Sequence, residues 1–215
     1  MQLNKALAAE FAGTFLLVFI GAGAGALAPP GPAGLNQVAL AHGVALMVAI
    51  YAVGAVSGAH VNPAVTFGVA AAGKMDWAKA ARYWGAQLAG GIVAALFLKL
   101  VLGERAGNLG ATTLAEGISP LQGALLEAIL TMFLVMAVMV SGVLGKNGNM
   151  AGLAIGMVLT MDILMGGHIT GASMNPARTL GPAVVGGEYG DVWIYLLGPL
   201  TGGAAGASIA RWLHK

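Results

Sequence analysis

Long apolar runs, interrupted by short polar connectors, set the pattern of this chain. Runs of about 20 apolar residues are long enough to cross a hydrocarbon core of about 30 Å. Such runs predict helices over 5–27, 36–56, 77–101, 120–143, 149–168 and 192–212. Chain breakers separate them: Pro29-Pro30-Gly31-Pro32, the polar stretch Gly103 to Ser119, and Gly145 to Asn149. Two shorter apolar runs remain, 62–72 and 175–185. At 1.5 Å per residue the first makes roughly 16 Å of helix, which reaches only part of the way across. The expected fold class is an all-α membrane protein of six transmembrane helices plus two re-entrant half-helices.

Both short runs open with the same kind of segment. Ser57-Gly58-Ala59-His60-Val61-Asn62-Pro63-Ala64-Val65 is matched by Thr170-Gly171-Ala172-Ser173-Met174-Asn175-Pro176-Ala177-Arg178. Asn is a preferred N-cap and Pro suits the first helical position, so each copy reads as a loop opening directly into a helix. The halves also start alike, with Glu10-Phe11-Ala12-Gly13-Thr14-Phe15 echoed by Glu127-Ala128-Ile129-Leu130-Thr131-Met132-Phe133. The chain therefore divides into a first repeat at 1–103, a connecting loop at 104–118 on the outer side, and a second repeat at 119–215. Three spans per repeat is an odd number, so the second repeat enters the bilayer from the opposite face, an arrangement that puts a solute path at the midplane.

Composition agrees with a membrane chain and removes other classes. The chain is 58% hydrophobic and 8% charged, against about 25% charged in soluble domains. A net charge of +2 spread along the sequence gives no nucleic-acid surface, and the lack of Cys excludes disulfides and thiolate metal sites. A cleaved signal peptide would need an h-region free of Glu10, so the first run is read as a span. With the N-terminus inside, Lys5, Lys74, Lys79, Arg82, Lys146, Arg211 and Lys215 fall on the cytoplasmic side and only Lys99 and Arg105 outside, as the positive-inside rule asks.

Under this topology the half-helices meet N-terminus to N-terminus, each bringing about half a positive charge. Asn62 and Asn175 are read as caps and as donors to a passing solute, Pro63 and Pro176 as fixing the helix starts, and Ala64 and Ala177 as letting the two half-helices abut. Arg178 at membrane depth costs about 2.5 to 3.5 kcal/mol unless it faces water or acceptors, so it is read as a fixed cation on the path. Glu10 and Glu127, at equivalent repeat positions, are expected to brace buried loops whose N–H groups need acceptors. His60, and less directly His168, receive the same bracing role, because no second ligand lies at metal-binding spacing. Asp162 has no assigned role, beyond the suggestion that it turns towards loop 166–173. Glycine and alanine runs such as Gly21-Ala22-Gly23-Ala24-Gly25 serve close helix packing and, with no basic residue nearby, do not form a phosphate loop.

Paired Asn-Pro-Ala boxes, the second continuing into Arg178-Thr179, resemble the aquaporin, or major intrinsic protein, family across essentially the whole chain. The resemblance implies a right-handed bundle, a homotetramer with one pore per subunit, and passive passage of water and small neutral solutes without cofactor or enzymatic step. It also implies that His42, Ile163 and Ala172 join Arg178 in an outer selectivity filter. That set is similar to plant tonoplast intrinsic proteins, which are associated with water plus ammonia, urea or hydrogen peroxide. Thr179 stands where glycerol facilitators typically carry Asp, which counts against a glycerol facilitator as the alternative. A rival of another class is an ion-coupled inverted-repeat secondary transporter, with Glu10 and Glu127 as its matched carboxylates. Compactness suggests a prokaryotic plasma (inner) membrane, with both termini cytoplasmic.

Overall fold

The computed structural model describes residues 2–215. Its helices are α1 (Gln2–Leu27), α2 (Pro32–Ser57), α3 (Pro63–Ala71), α4 (Trp77–Leu102), α5 (Pro120–Ala137), α6 (Ala151–Thr170), α7 (Pro176–Gly186) and α8 (Ile194–Leu213). The two short helices α3 and α7 start at Pro63 and Pro176, with Asn62 and Asn175 outside them in extended conformation as N-caps.

Two boundaries differ from expectation for identifiable reasons. α2 begins at Pro32, because Gly31 at φ +87 turns the chain and Pro32 then occupies the first helical position. The run expected as one helix over 120–143 is α-helical only to Ala137 and continues as a π-helix over Val138–Val143. The wider turn is closed by Leu144 N–H donating to the Met139 carbonyl at 2.8 Å, five residues back.

By length and composition, α1, α2, α4, α5 and α6, counted with their short extensions, can each cross a membrane. α8 matches α6 in length at 20 residues, yet its glycines, Pro199 and polar residues dilute its hydropathy. Those glycines have a packing purpose. A Cβ on Gly198 would lie 2.8 Å from the Ala124 carbonyl oxygen, and one on Gly206 would lie 3.1 Å from the Met132 carbonyl carbon. α8 gives up apolar side chains to lie backbone to backbone on α5.

Each half-helix is held by the last long helix of the other half. A Cβ on Gly68 in α3 would meet the Gly203 carbonyl oxygen of α8 at 2.7 Å, and one on Gly203 would meet the Ala64 carbonyl oxygen at 2.6 Å. The second half repeats this, since a Cβ on Gly181 in α7 would lie 2.6 Å from the Gly91 carbonyl carbon of α4 and one on Gly91 would lie 2.5 Å from the Ala177 carbonyl oxygen. The larger apolar core, including Val65, Leu134, Ile155, Leu159 and Met174, draws residues from both halves.

Candidate functional site

Two loops, Gly58–Asn62 and Gly171–Asn175, buried beyond their first residues, carry backbone that L-residues rarely adopt. Ala59 and Val61 have φ of +47° and +46°, and Ala172 and Met174 have +44° and +53°. A β-branched valine there is an outlier costing on the order of 1–3 kcal/mol, so something must hold it. The left-handed residues aim successive N–H groups at one point, which is an anion nest. Its anion is a carboxylate. Glu10 Oε1 accepts from His60 N–H at 2.9 Å and Ser57 Oγ at 2.6 Å, while Oε2 accepts from Val61 N–H at 2.7 Å. Glu127 does the same for Ser173 N–H, Thr170 Oγ1 and Met174 N–H, at 2.9, 2.7 and 2.7 Å.

The loops then lock to each other. Asn62 Nδ2 donates to the Met174 carbonyl at 2.8 Å, and Asn175 Nδ2 donates to the Val61 carbonyl at 2.9 Å. Each Asn also caps its own helix, with Oδ1 accepting from Ala64 N–H at 2.8 Å or Ala177 N–H at 3.0 Å. One N–H of each amide is therefore committed to the opposite loop, and its second remains for another acceptor. Ala64 and Ala177 present their carbonyls to Gly203 of α8 and Gly91 of α4. The half-helices, which Ala64 and Ala177 were expected to let abut, do touch each other, and the alanine carbonyls also lie against long helices of the other half.

A cavity of about 590 Å³ runs along these loops and is bordered by His42, His60, Asn62, Asn175 and Arg178. A second of about 300 Å³ is bordered by Leu35, Val38, Gly110, His168, Gly171 and Arg178. Arg178 belongs to both. It is 4% exposed, its Nη1 donates to the Gly110 carbonyl at 2.7 Å, and its Nε has no protein partner. The chain from 103 to 119 is thereby more than a connector, since it supplies the acceptor that positions the guanidinium. His42 hydrogen bonds through Nδ1 to the Val38 carbonyl at 2.9 Å, which makes Nδ1 the donor and leaves Nε2 as an unpartnered acceptor.

The other expected residues take several positions. Ile163 and Ala172 are buried in the apolar core near both cavities, but neither borders one. Thr179 also borders neither cavity. Its hydroxyl lies 2.8 Å from Thr112 Oγ1 and 2.6 Å from Ser173 Oγ, tying the outer loop to the second Asn-Pro-Ala loop. His60, expected to brace its loop, has Nδ1 3.1 Å from Thr66 Oγ1 of α3. His168 is exposed at the rim of the smaller cavity and makes no hydrogen bond among the described residues, because it lies in the last turn of α6, before the loop begins. Asp162 is 2% exposed with Oδ2 unpartnered and holds no loop. Among the described residues, no three His, Cys, Asp or Glu gather to hold a metal ion.

Further site residues escaped the sequence reading. Gln87 Nε2 donates to Glu10 Oε2 at 2.8 Å and to Thr66 Oγ1 at 2.9 Å. A lone Gln inside an apolar span was the available signal. Tyr83 and Tyr195 donate to the Ser57 and Thr170 carbonyls at 2.8 and 2.7 Å, closing each loop at its entry.

Known proteins share this architecture. Residues 1–210 match the Major intrinsic protein family. The chain is 42% identical to aquaporin NIP1-1 of Oryza sativa subsp. japonica, with 96% of this chain and 74% of that one covered. It is 44% identical to aquaporin TIP1-2 of Zea mays, with 95% and 84% covered. In three dimensions it is similar to the aquaglyceroporin of Plasmodium falciparum, with TM-score 0.81, 26% identity, and 99% and 95% covered. A match over nearly the whole chain, together with relatives above 40% identity, establishes that this integral membrane protein belongs to the major intrinsic protein family, the aquaporins.

Proposed function

We propose that this chain is a passive channel for water and small neutral solutes, with ammonia, urea and hydrogen peroxide as the candidate solutes beside water. The observation that carries the reading is that both cavities border Arg178 and that the larger one also borders Asn62 and Asn175, the N-caps of α3 and α7. Two helix N-termini and a guanidinium make the path positive, which repels cations and hydronium. The uncommitted amide N–H groups of Asn62 and Asn175, the guanidinium and the His42 acceptor exchange hydrogen bonds with a neutral solute without forming a covalent bond. In this reading Ile163 and Ala172 back the wall of the filter formed by His42 and Arg178, through apolar packing rather than polar contact.

The proposal extends to the assembly. Two repeats, 1–103 and 119–215, enter the bilayer in opposite orientations with both termini cytoplasmic, and four copies associate with one pore each. The rice and maize relatives are plant proteins, so the expected prokaryotic plasma membrane loses its support and the host membrane is kept open to other kinds.

A glycerol facilitator is the second reading, and two observations favour keeping it. One structural neighbour is an aquaglyceroporin, and Thr179, which stood against glycerol in the sequence, borders neither cavity. Stopped-flow light scattering on proteoliposomes under a hyperosmotic glycerol step separates the cases. Fast shrinkage without fast re-swelling supports a water pore that excludes polyols. Fast re-swelling moves the assignment to glycerol, and traces equal to those of empty liposomes overturn the channel reading.

A further inference from the structure

α1 crosses α2 at a point where only a glycine fits. A Cβ built on Gly21 would lie 2.5 Å from His42 Nε2 and 2.7 Å from His42 Cγ, closer than real Cβ contacts come. The three nearest atoms to that Cβ all belong to the His42 ring. Other glycines of α1 answer different neighbours, since Gly13 meets Val61 and Gly23 meets Leu98. At Gly21 it is the imidazole that excludes a side chain.

The repeat supplies a control. Thr14 and Thr131 each donate to the carbonyl four residues back, of Glu10 and Glu127, which fixes the register of α1 against α5. In that register Gly21 corresponds to Val138, and by the matched loops His42 corresponds to Ile155. Val138 and Ile155 both border the large cavity. In the second repeat the residue matching His42 is aliphatic and the position matching Gly21, where the π-helix opens, is valine rather than glycine.

We propose that Gly21 is a specificity-determining residue: its missing side chain is the seat of the His42 imidazole and sets how far the ring projects into the solute path. The ring is tethered at Nδ1 to the Val38 carbonyl, backed by Gly21, and open on its remaining side to the cavity. Any side chain at position 21 displaces the ring in the one direction with space, narrowing the bore. Solutes wider than water are lost first. This inference rests on the channel reading above.

The test is a double-mutant cycle with Gly21→Ala, His42→Ala and both together, reconstituted in proteoliposomes. Osmotic water permeability and urea uptake are measured by stopped flow, and thermal unfolding in detergent is followed in parallel. Gly21→Ala is expected to cut water permeability about fivefold and urea uptake at least as much, and to lower the melting temperature. In the His42→Ala background the same substitution is expected to change flux by less than twofold and to leave the melting temperature unmoved. Equal flux for Gly21→Ala and wild type overturns the proposal, as does a double variant that stays as impaired as Gly21→Ala alone, which would place the fault in helix packing. If wild-type traces match empty liposomes, the channel reading fails, and the melting-temperature cycle still decides whether Gly21 seats His42.

Discussion

Arg178 is held by Gly110: its Nη1 donates to that backbone carbonyl at 2.7 Å, across more than sixty residues of sequence. Gly110 has φ +64, and a Cβ there would sit 2.9 Å from the Ala22 carbonyl carbon and 3.0 Å from its Cα. Two independent constraints therefore require glycine at this place. Gly110→Ala is expected to push the outer loop off α1 and remove the acceptor from a buried cation, at a cost of about 1.5–3 kcal/mol. The freed guanidinium then enters the path, and osmotic water permeability in proteoliposomes should fall several-fold. Unchanged permeability would show that the loop carbonyl does not set the position of Arg178.

Glu10 and Glu127 distinguish a channel from an ion-coupled transporter. Each carboxylate is fully buried and accepts two backbone N–H groups of a strained loop and one hydroxyl. Gln in place of Glu127 keeps the shape but lacks the charge, and turns an amide N–H towards a donor. The expected result is a loss of about 2 kcal/mol of stability, visible as a lower melting temperature in detergent. The variant that does fold should retain water flux with no dependence on a sodium or proton gradient. Gradient-driven uptake in the wild type that disappears in Glu127→Gln would favour the transporter.

Periodicity and caps made much of this legible from sequence. The half-helices were readable because Asn-Pro is a local start signal and because the run that follows is too short to span. Glu10 and Glu127 stood out since a carboxylate in an apolar run needs a partner. What escaped was non-local. Nothing near Gly110 in the chain announces Arg178, and Tyr83 looks like any interfacial aromatic until Ser57 comes beside it. The π-helix over Val138–Val143 was hidden for a different reason, because its sequence is as apolar as the α-helix it continues.

Thr179 tests whether a family-typical residue acts by lining the path. Its hydroxyl joins Thr112 to Ser173, whose own Oγ donates to the Asn175 carbonyl at 3.0 Å. Thr179→Asp brings a charge into this 2%-exposed site without reaching either cavity. Glycerol re-swelling rates should be no higher than in wild type, and the variant should be less stable. Thr179→Val should cost about 1–3 kcal/mol through its lost hydroxyl pairings, again without a gain in glycerol flux. Faster glycerol entry in Thr179→Asp would show that this position does reach the solute.

The reciprocal ties Asn62 to Met174 and Asn175 to Val61 bind the two halves at the point where the strained residues lie. Replacing either Asn with Ala removes a cap, worth about 0.5–2 kcal/mol, and one tie across the midplane. Because both ties hold the same pair of loops, loss of the first loosens the geometry on which the second depends. The two substitutions should therefore be non-additive, with a coupling of roughly 0.5–3 kcal/mol in a double-mutant cycle of unfolding. Asn62→Asp separates the two roles. Oδ1 still caps α3, but the second oxygen faces the Met174 carbonyl, and a negative charge enters the region where two helix N-termini converge. Proton or sodium leak through reconstituted vesicles should rise in Asn62→Asp and stay at background in Asn62→Ala. Equal leak in both would place the cation barrier with Arg178 alone.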